Sequence, residues 1–407
     1  MAELAHPLIV PLPRLVPPSG HALRWAAMAR LRKAWRGGAL ELVMPSGELV
    51  AFGDRGDAPV PRARIHDDRV FLRMLLRGEI GLGESFVAGE WSADDLVGVL
   101  RAFLTGTAAR GFESPLTWLA QLPALVRHRR ASNTRTGSER NIHAHYDLGN
   151  KFYELFLDRD TLSYSCGIWT GELVSSQRAK HERLCELLAL SPRDHLLEIG
   201  CGWGGMALHA ATTRGCRVTA ITISREQQAL AARRVADAGL AGRVSVELVD
   251  YRDLVGRFDK IVSIEMLEAV GHEYLPGYFA RCDRVLAPGG RIALQTITMP
   301  DDRYESYRAR VDWMQTYIFP GSCIPSLAAI RGALHGTTLQ VVRADDIGPD
   351  YAPTLRAWRE RFVAALPAVR ALGFDDPFVR TWLLYLAFSE AAFAEHTLAD
   401  HQLVLAR

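Results

Sequence analysis

The sequence lacks the features that mark a membrane-spanning, secreted or metal-stapled protein. No apolar run approaches the roughly 18–20 residues that a membrane span needs. The first residues, MAELAHPLIVPLPRLVPP, have no basic segment and are interrupted by proline, unlike a secretory signal. The six cysteines form no C-x-x-C pair, so neither a zinc ribbon nor a redox dithiol is predicted, and we expect no metal. These absences predict reduced thiols in a cytoplasmic protein that is at most peripheral on the inner face of the membrane.

A strong charge of either sign is also missing. The chain has 48 basic and 46 acidic residues, for a net charge of +2, whereas nucleic-acid-binding proteins usually show a larger basic excess. The small excess lies in residues 1–130, which carry +4, while the remainder carries −2. A mildly basic N-terminal part would suit phospholipid headgroups, although a solvated basic face is the simpler interpretation.

The 407 residues predict two domains or three. Residues 1–126 are predicted to form a small α+β domain associated with lipid or membrane, with a β-hairpin at 39–52. A polar, basic linker follows at 127–141. From 142 to 407, apolar strands alternate with helical segments, which predicts an α/β fold with a doubly wound, Rossmann-like parallel sheet.

The segment 21–37 has apolar and basic residues at helical spacing. It predicts a helix with Trp25, Met28, Leu31 and Trp35 near one face. Such a helix could contact a membrane surface, or it could pack on its own domain.

The clearest local motif is LLEIGCGWGG at 196–205. A buried strand ends at Glu198, and Gly200, Gly202 and Gly204 then form a turn that opens a helix. The spacing differs from the G-x-G-x-x-G of dinucleotide-binding proteins. It fits the E/D-x-G-x-G-x-G pattern of class I methyltransferases, which use S-adenosylmethionine. The alternative is a glycine-rich turn without a ligand.

Later strand ends agree with a nucleoside cofactor. Thr222, Ser224 and Gln227 follow one strand and are candidates near the ribose. Tyr251 and Arg252 follow the next and are candidates near the adenine, and the strand 259–264 ends at Ile264. The Asn/Asp-Pro-Pro-Tyr/Phe motif of base-modifying methyltransferases and any Pro-Cys dipeptide are absent. Nucleic acid is therefore not an expected partner.

Several longer motifs carry a resemblance to a known family. HYDLGNKFYELFLDRDTLSYSCGIW (145–169), VTAITISREQQ (218–228), YRDL (251–254), YIFPG (317–321) and LRGEIGLGESFVAGEW (76–91) resemble the cyclopropane-fatty-acyl-phospholipid synthase family over nearly the whole chain. The resemblance implies that a cis double bond in a phospholipid acyl chain attacks the methyl group of S-adenosylmethionine. A carbocation forms, and a bound bicarbonate accepts a proton as the cyclopropane closes. A homodimer is possible by analogy with the family.

The resemblance also implies residue roles. Tyr164 and Ser165 would contact the cofactor beside the glycine turn. Glu268 would anchor bicarbonate, Cys166 would lie beside that ion without acting as a nucleophile, and Ile297 would contribute a backbone contact.

Two positions depart from the family pattern. Gln295 stands in LQTIT where ring-forming members commonly have histidine, and Arg359 stands in AWRERF where many have tyrosine. Gln295 cannot carry a positive charge, whereas Arg359 could bind an anion bidentately or face solvent. The sequence therefore favours a cyclopropane product but leaves a methylene- or methyl-branched chain open. The alternatives of another class are a non-catalytic lipid-binding protein and a methyltransferase of a small soluble molecule.

Overall fold

A computed structural model describes residues 20–56, 59–106, 122–128, 131–135, 137–138 and 148–407. Six of the fifteen residues of the predicted linker 127–141 lie outside these residues. The chain groups into two compact units that are not continuous in sequence. Unit 1 comprises residues 1–130, 310–320 and 366–395, and unit 2 comprises 131–309, 321–365 and 396–407. The predicted division at 126–142 therefore lies near the first crossing between units, but it assigned two segments of unit 1 to the catalytic domain.

The helices and strands alternate along most of the chain. In chain order, the helices are α1 (Gly20–Ala34), α2 (Arg69–Val87), α3 (Leu96–Gly106), α4 (122–128), α5 (Asn150–Tyr153), α6 (Leu173–Leu187), α7 (Gly205–Arg214), α8 (Arg225–Asp237), α9 (Leu275–Val285), α10 (Asp301–Arg308), α11 (Trp313–Tyr317), α12 (Leu327–Ala333), α13 (Tyr351–Ala364), α14 (Leu366–Ala371) and α15 (Asp376–Ala394). The strands are β1 (Leu40–Val43), β2 (Leu49–Phe52), β3 (Arg62–Ile65), β4 (Trp91–Ala93), β5 (His195–Ile199), β6 (Arg217–Thr222), β7 (Val244–Leu248), β8 (Phe258–Ile264), β9 (Leu286–Thr298), β10 (Gln340–Asp346) and β11 (Ala399–Ala406).

Unit 1 is a four-stranded sheet packed with helices. The strand order is β2-β1-β3-β4, and β1 and β2 form the predicted antiparallel hairpin, which is thereby confirmed. Helix α15 packs against α2 and α3, although it is far from them in sequence. Trp91 and Trp382 are fully buried in this unit. The residues from 366 to 395 thus complete a core that the first 130 residues begin.

Helix α1 has only part of the predicted apolar face. Leu31 and the following Trp35 are buried, as expected, but Trp25 is 76% exposed. On a helix with 3.6 residues per turn, Trp25 lies about 120° from Leu31, so the two cannot share one buried face. The prediction that Trp25 belongs to that face is therefore wrong.

Unit 2 contains a seven-stranded sheet in the order β10-β11-β9-β8-β5-β6-β7. The five strands from β9 to β7 are parallel, and β10 and β11 add an antiparallel edge. Side chains of β5 alternate between the two faces: Leu196 joins one hydrophobic core and Leu197 joins the other. The doubly wound α/β fold is confirmed. The carboxyl ends of β5, β6 and β8 meet at one edge of the sheet, where such folds bind ligands.

Candidate active site

The turn after β5 leaves open space beside the backbone. Gly202 has a φ of 52°, and a Cβ at this position would meet no heavy atom within 4 Å. Gly200 has a φ of 80°, and a Cβ there would lie 2.8 Å from the Cγ of Met266. Glycine is required at both positions because other residues rarely adopt these dihedrals. The backbone is therefore accessible to a ligand directly before α7 begins.

The acidic residue of the motif, Glu198, is buried at the base of this turn. Its carboxyl accepts a hydrogen bond from the backbone N–H of Ala207, and burial raises the pKa of Glu198 to about 8. Its Oε2 is buried and has no hydrogen-bond partner. An unpartnered buried oxygen on the strand that leads into this turn fits an amino-acid-bearing cofactor such as S-adenosylmethionine, whose amino group could supply the missing donor.

Three polar residues after β6 form a small network. The hydroxyl of Thr222 donates to Oε1 of Gln227 (2.8 Å), and the Ser224 hydroxyl accepts from the Gln227 backbone N–H (3.3 Å), which caps α8. The amide nitrogen of Gln227 has no hydrogen-bond partner within the described part of the chain. This network can therefore donate to a ribose hydroxyl, as the sequence predicts.

Tyr251 and Arg252, which follow β7, make more contacts within the chain than the sequence suggests. The Arg252 guanidinium bonds to Asp250 (2.9 Å), to the Asn133 carbonyl (3.3 Å) and to the Ser138 hydroxyl (2.9 Å). It also lies 5.2 Å from the ring centroid of Tyr251. Burial raises the pKa of Tyr251 to about 12. Arg252 thus fixes Tyr251 and the segment 133–138, and contact of the pair with adenine stays a prediction.

The motif YSC (164–166) precedes α6, and its serine binds a buried lysine of that helix. Lys180 donates to the Ser165 hydroxyl (2.6 Å), and Gln177 donates to the Ser165 carbonyl (2.8 Å). Burial lowers the pKa of Lys180, which is fully buried. The Tyr164 ring lies 5.3 Å from that of Trp358. Tyr164 and Ser165 were predicted site residues, but Lys180 was not. Nothing in the position of Lys180 in the sequence distinguishes it from a surface lysine.

Glu268 lies just after β8 in a short 3-10 helix, Leu267–Ala269. Its Oε1 accepts from the Ile297 backbone N–H (2.5 Å) and the Thr296 hydroxyl (2.9 Å). Its Oε2 is buried and has no partner. Burial, reinforced by the nearby charge of Glu265, raises the pKa of Glu268 to about 8. The structure therefore brings Glu268 and Ile297 together and leaves one carboxyl oxygen for chemistry.

A second carboxylate, Glu265, lies between these residues and was not a predicted site residue. Its Oε1 accepts from the Cys166 backbone N–H (2.7 Å) and the Gln295 amide (2.9 Å), and its Oε2 accepts from the Tyr351 hydroxyl (2.6 Å). Glu265 has a φ of 45°, a left-handed conformation that costs a non-glycine residue roughly 1–2 kcal/mol. Strain at a partly buried polar residue of this kind often marks a functional site.

Gln295 is fully engaged by the chain itself. Its amide nitrogen also lies 3.1 Å from the Cys166 carbonyl and 3.0 Å from Oδ2 of Asp400, and its Oε1 accepts from Gln402 (3.0 Å). Asp400 is fully buried, its Oδ1 has no partner, and burial together with the charges of Glu265 and Glu268 raises its pKa well above the ordinary range. Ile264, at the end of β8, is the register partner of Gln295.

Cys166 and Arg359 are the two remaining residues with a predicted place near an anion. The Cys166 thiol donates to the carbonyls of Gly167 (3.2 Å) and Ile347 (3.7 Å), and burial raises its pKa, so it stays a neutral thiol. Arg359 is half-buried on α13. None of the contacts of Glu265, Glu268 and Gln295 involves Arg359, and Tyr351 at the start of the same helix reaches Glu265 instead. An anion-binding role for Arg359 stays a prediction.

The residues that sequence reasoning missed come from distant segments. Four of them contact a predicted site residue, and the fifth contacts Glu265; they are Lys180, Glu265, Asp400 and Gln402, and Tyr351. Only Glu265 had a sequence signal, since it precedes Glu268 in the acidic run EMLE after a buried strand. Within the described residues, no group of His, Cys, Asp and Glu side chains is arranged to hold a metal ion.

Comparisons with known proteins agree with the fold and the turn. The family described as mycolic acid cyclopropane synthetase matches residues 133–403. The chain is 41% identical to the tuberculostearic acid methyltransferase UfaA1 of Mycobacterium tuberculosis, covering 90% of this chain and 88% of that protein. It is 37% identical to the cyclopropane-fatty-acyl-phospholipid synthase of Escherichia coli, covering 92% and 94%.

A solved structure supports the same assignment. The mycolic acid cyclopropane synthase CmaA1, crystallised with SAH and CTAB, is 28% identical with a TM-score of 0.61. The match covers 66% of this chain and 98% of that protein.

Proposed function

The chain belongs to the mycolic acid cyclopropane synthetase family, whose members are S-adenosylmethionine-dependent methyltransferases, and from this we propose that it methylates a carbon of a cis double bond in a phospholipid acyl chain. The relatives are named for fatty-acid methylation and for cyclopropane formation on phospholipid, which supports a lipid substrate. The orphaned Oε2 of Glu198 and the open space at Gly202 support the cofactor. S-adenosylmethionine would supply an electrophilic methyl group there.

The site does not fit the bicarbonate that the resemblance implies. The Cys166 N–H and the Gln295 amide donate to Glu265, and the Ile297 N–H donates to Glu268. A further anion would have few donors left and would face two carboxyl groups at close range. We therefore assign proton acceptance to the chain's own carboxyl groups.

The protonation and hydrogen bonding of these carboxyl groups decide which product forms. The π electrons of the double bond form the new C–C bond to the methyl group, and the neighbouring carbon becomes cationic. Glu268, with a pKa of about 8, is mostly protonated at neutral pH, and both oxygens of Glu265 already accept hydrogen bonds. At neutral pH Glu268 thus already holds a proton, and the oxygens of Glu265 are occupied by donors, so the first cation survives long enough to rearrange.

Rearrangement leads to a methylene branch. A hydride moves from the methylated carbon to the cationic carbon, which leaves a more substituted cation. The methyl group then loses a proton to a carboxylate, and its C–H electrons form the C=CH₂ bond. The observation that carries this proposal is the Glu265 carboxylate held by Cys166, Gln295 and Tyr351. A cyclopropane is the second candidate, because Glu268 and Ile297, which match residues of the ring-forming family, lie in contact.

The test uses purified protein, S-adenosylmethionine and vesicles of cis-unsaturated phospholipid deuterated at the double bond. We expect mass spectrometry to show one added CH₂ unit, a double bond that hydrogenation removes, and deuterium moved to the neighbouring carbon. A product that resists hydrogenation and keeps its deuterium in place would establish ring closure instead. Absence of turnover on any unsaturated lipid would contradict methyl transfer and favour the lipid-binding alternative.

Further experiments test which group accepts the proton. Removing bicarbonate by degassing should leave turnover unchanged, whereas loss of activity that added bicarbonate restores would refute the assignment to carboxyl groups. Glu265→Gln should lose activity, and Glu186→Gln, which changes an exposed carboxylate on α6, should keep it. Raising the pH through 8 ionises Glu268 and should increase the share of ring product.

A phospholipid substrate requires the protein to contact a membrane. Within the described ranges, no helix is long and apolar enough to cross a bilayer. The six cysteines all lie in described segments and are free. We propose that the enzyme works on phospholipid from the cytoplasmic side, as a peripheral protein.

A further inference from the structure

Helix α1 of unit 1 has two opposite faces. Ala27 and Leu31 are buried to 2% and 1% exposure and pack into the unit. Trp25, Arg32 and Lys33 are exposed on the other side. Seven residues separate Trp25 from Arg32, so both lie on nearly the same line along the helix, about 10 Å apart. We call Trp25, Arg32 and Lys33 the α1 face.

The α1 face is apolar at one end and cationic at the other. Trp25 is 76% exposed, which is unusual for so large an apolar side chain. Helix α1 contains no acidic residue. Within the described residues neither Arg32 nor Lys33 forms an ion pair, whereas Arg24 of the same helix pairs with Glu48 at 3.0 Å. The face therefore offers an indole ring and two uncompensated positive charges.

We propose that the α1 face binds the surface of a bilayer that contains anionic phospholipid, with Trp25 in the headgroup region and Arg32 and Lys33 against lipid phosphates. Tryptophan is favoured at membrane–water interfaces because one part of its ring is apolar and its N–H is polar. Basic residues near an anionic leaflet each add about 1 kcal/mol, or a factor of about five. Since the opposite side of α1 stays packed in unit 1, the contact is shallow. The inference rests on the proposed function, in that the bilayer would also hold the substrate.

The experiment is vesicle flotation of the full chain at low salt. Phosphatidylcholine vesicles are compared with vesicles that also contain phosphatidylglycerol. The wild-type protein should bind the anionic vesicles, and high salt should weaken that binding. Arg32→Glu with Lys33→Glu should weaken it about 30-fold or more, and Trp25→Ala several-fold. Arg32→Gln with Lys33→Gln repeats the test with a milder change.

Matched controls carry the same changes elsewhere. Arg233→Glu with Arg291→Glu reverses two exposed cations of unit 2, and Val342→Ala removes an apolar side chain that is 61% exposed. These variants should bind like the wild type. Equal losses in the controls, or equal wild-type binding to both kinds of vesicle, would overturn the proposal. A variant that instead changes the molar mass in light scattering would assign the α1 face to contact between copies of the chain.

Turnover on detergent-dispersed substrate separates this inference from the proposed function. The α1-face variants should methylate dispersed lipid at the wild-type rate and lose activity only on vesicles. If no lipid is methylated but vesicle binding still depends on Arg32 and Lys33, the proposed function fails and the binding surface stands. If dispersed lipid is methylated and the variants bind vesicles normally, the surface fails and the function stands.

Discussion

Replacing Glu268 with glutamine should make the protein more stable at alkaline pH while it loses activity. Between pH 4.5 and about 8, folded Glu268 holds a proton that it has lost in the unfolded chain. The folded state binds more protons there, so its stability falls as pH rises through this window and is constant above it. A shift from 4.5 to about 8 corresponds to at most about 5 kcal/mol.

The glutamine variant removes this titration and keeps the local contacts. Its side-chain oxygen can still accept from the Ile297 N–H and the Thr296 hydroxyl, which both donate to Oε1. We expect the two proteins to be similarly stable near pH 4.5 and the variant to be more stable at pH 8.5. Turnover should fall about 100-fold or more, because an amide cannot accept the proton. Cofactor affinity should survive, since Glu268 lies outside the glycine turn.

The assay is urea unfolding of both proteins from pH 5 to pH 9, with turnover and calorimetric cofactor binding measured alongside. Glu198 has a similarly raised pKa in both proteins, so its contribution cancels in the difference. Glu198→Gln is the matched variant: it should gain stability over the same window but weaken cofactor binding. Parallel pH curves for the wild type and Glu268→Gln would refute the raised pKa and, with it, the argument that Glu268 is protonated at neutral pH.

Three other changes test the remaining parts of the site. Gly202→Val should abolish calorimetric binding of S-adenosylmethionine, because a side chain would fill the open space and valine resists a φ of 52°; normal affinity would move the cofactor elsewhere. Tyr351→Phe removes the 2.6 Å hydrogen bond to Glu265 and should lower turnover about tenfold or more. Tyr304→Phe, whose hydroxyl contacts a histidine instead, is its control, and equal losses would contradict the role. Lys180→Met removes a buried cation and should cost about 3–5 kcal/mol in urea unfolding, where a neutral result would show that Lys180 balances no charge.

The fold was predictable where apolar runs have clear ends. Strand β5 forms directly before the glycine turn, as the sequence predicts, because it is a buried apolar run bounded by turns. Strand β10 was missed, since it is mostly exposed and carries charged residues. The helical pattern near 351–371 forms two helices, α13 and α14, and Pro367 explains the break because it has no N–H to continue the hydrogen bonds of α13.

The site was predictable where one segment carries the signal. The glycine turn and the pair of Glu268 and Ile297 follow from motifs. Glu265 could not be assigned, since the left-handed backbone that turns its carboxyl toward Cys166 is not visible in a sequence. Asp400 reaches the site because β11 pairs with β9 in a register that sets Asp400 opposite Ile297. That register depends on sheet pairing across more than a hundred residues.

Unit 1 is built from segments that are separate in sequence, and this affects its folding during synthesis. A ribosome that has released the first 130 residues has supplied α2 and α3 but not α15, whose Phe378 and Trp382 belong to the same core. Domains usually fold in the order of synthesis. Here the unit that starts first has to wait for residue 395, with apolar surface exposed until then, and its long-range contacts favour slow folding. Early folding of the nascent chain is therefore a stage at which this protein depends on protection from aggregation.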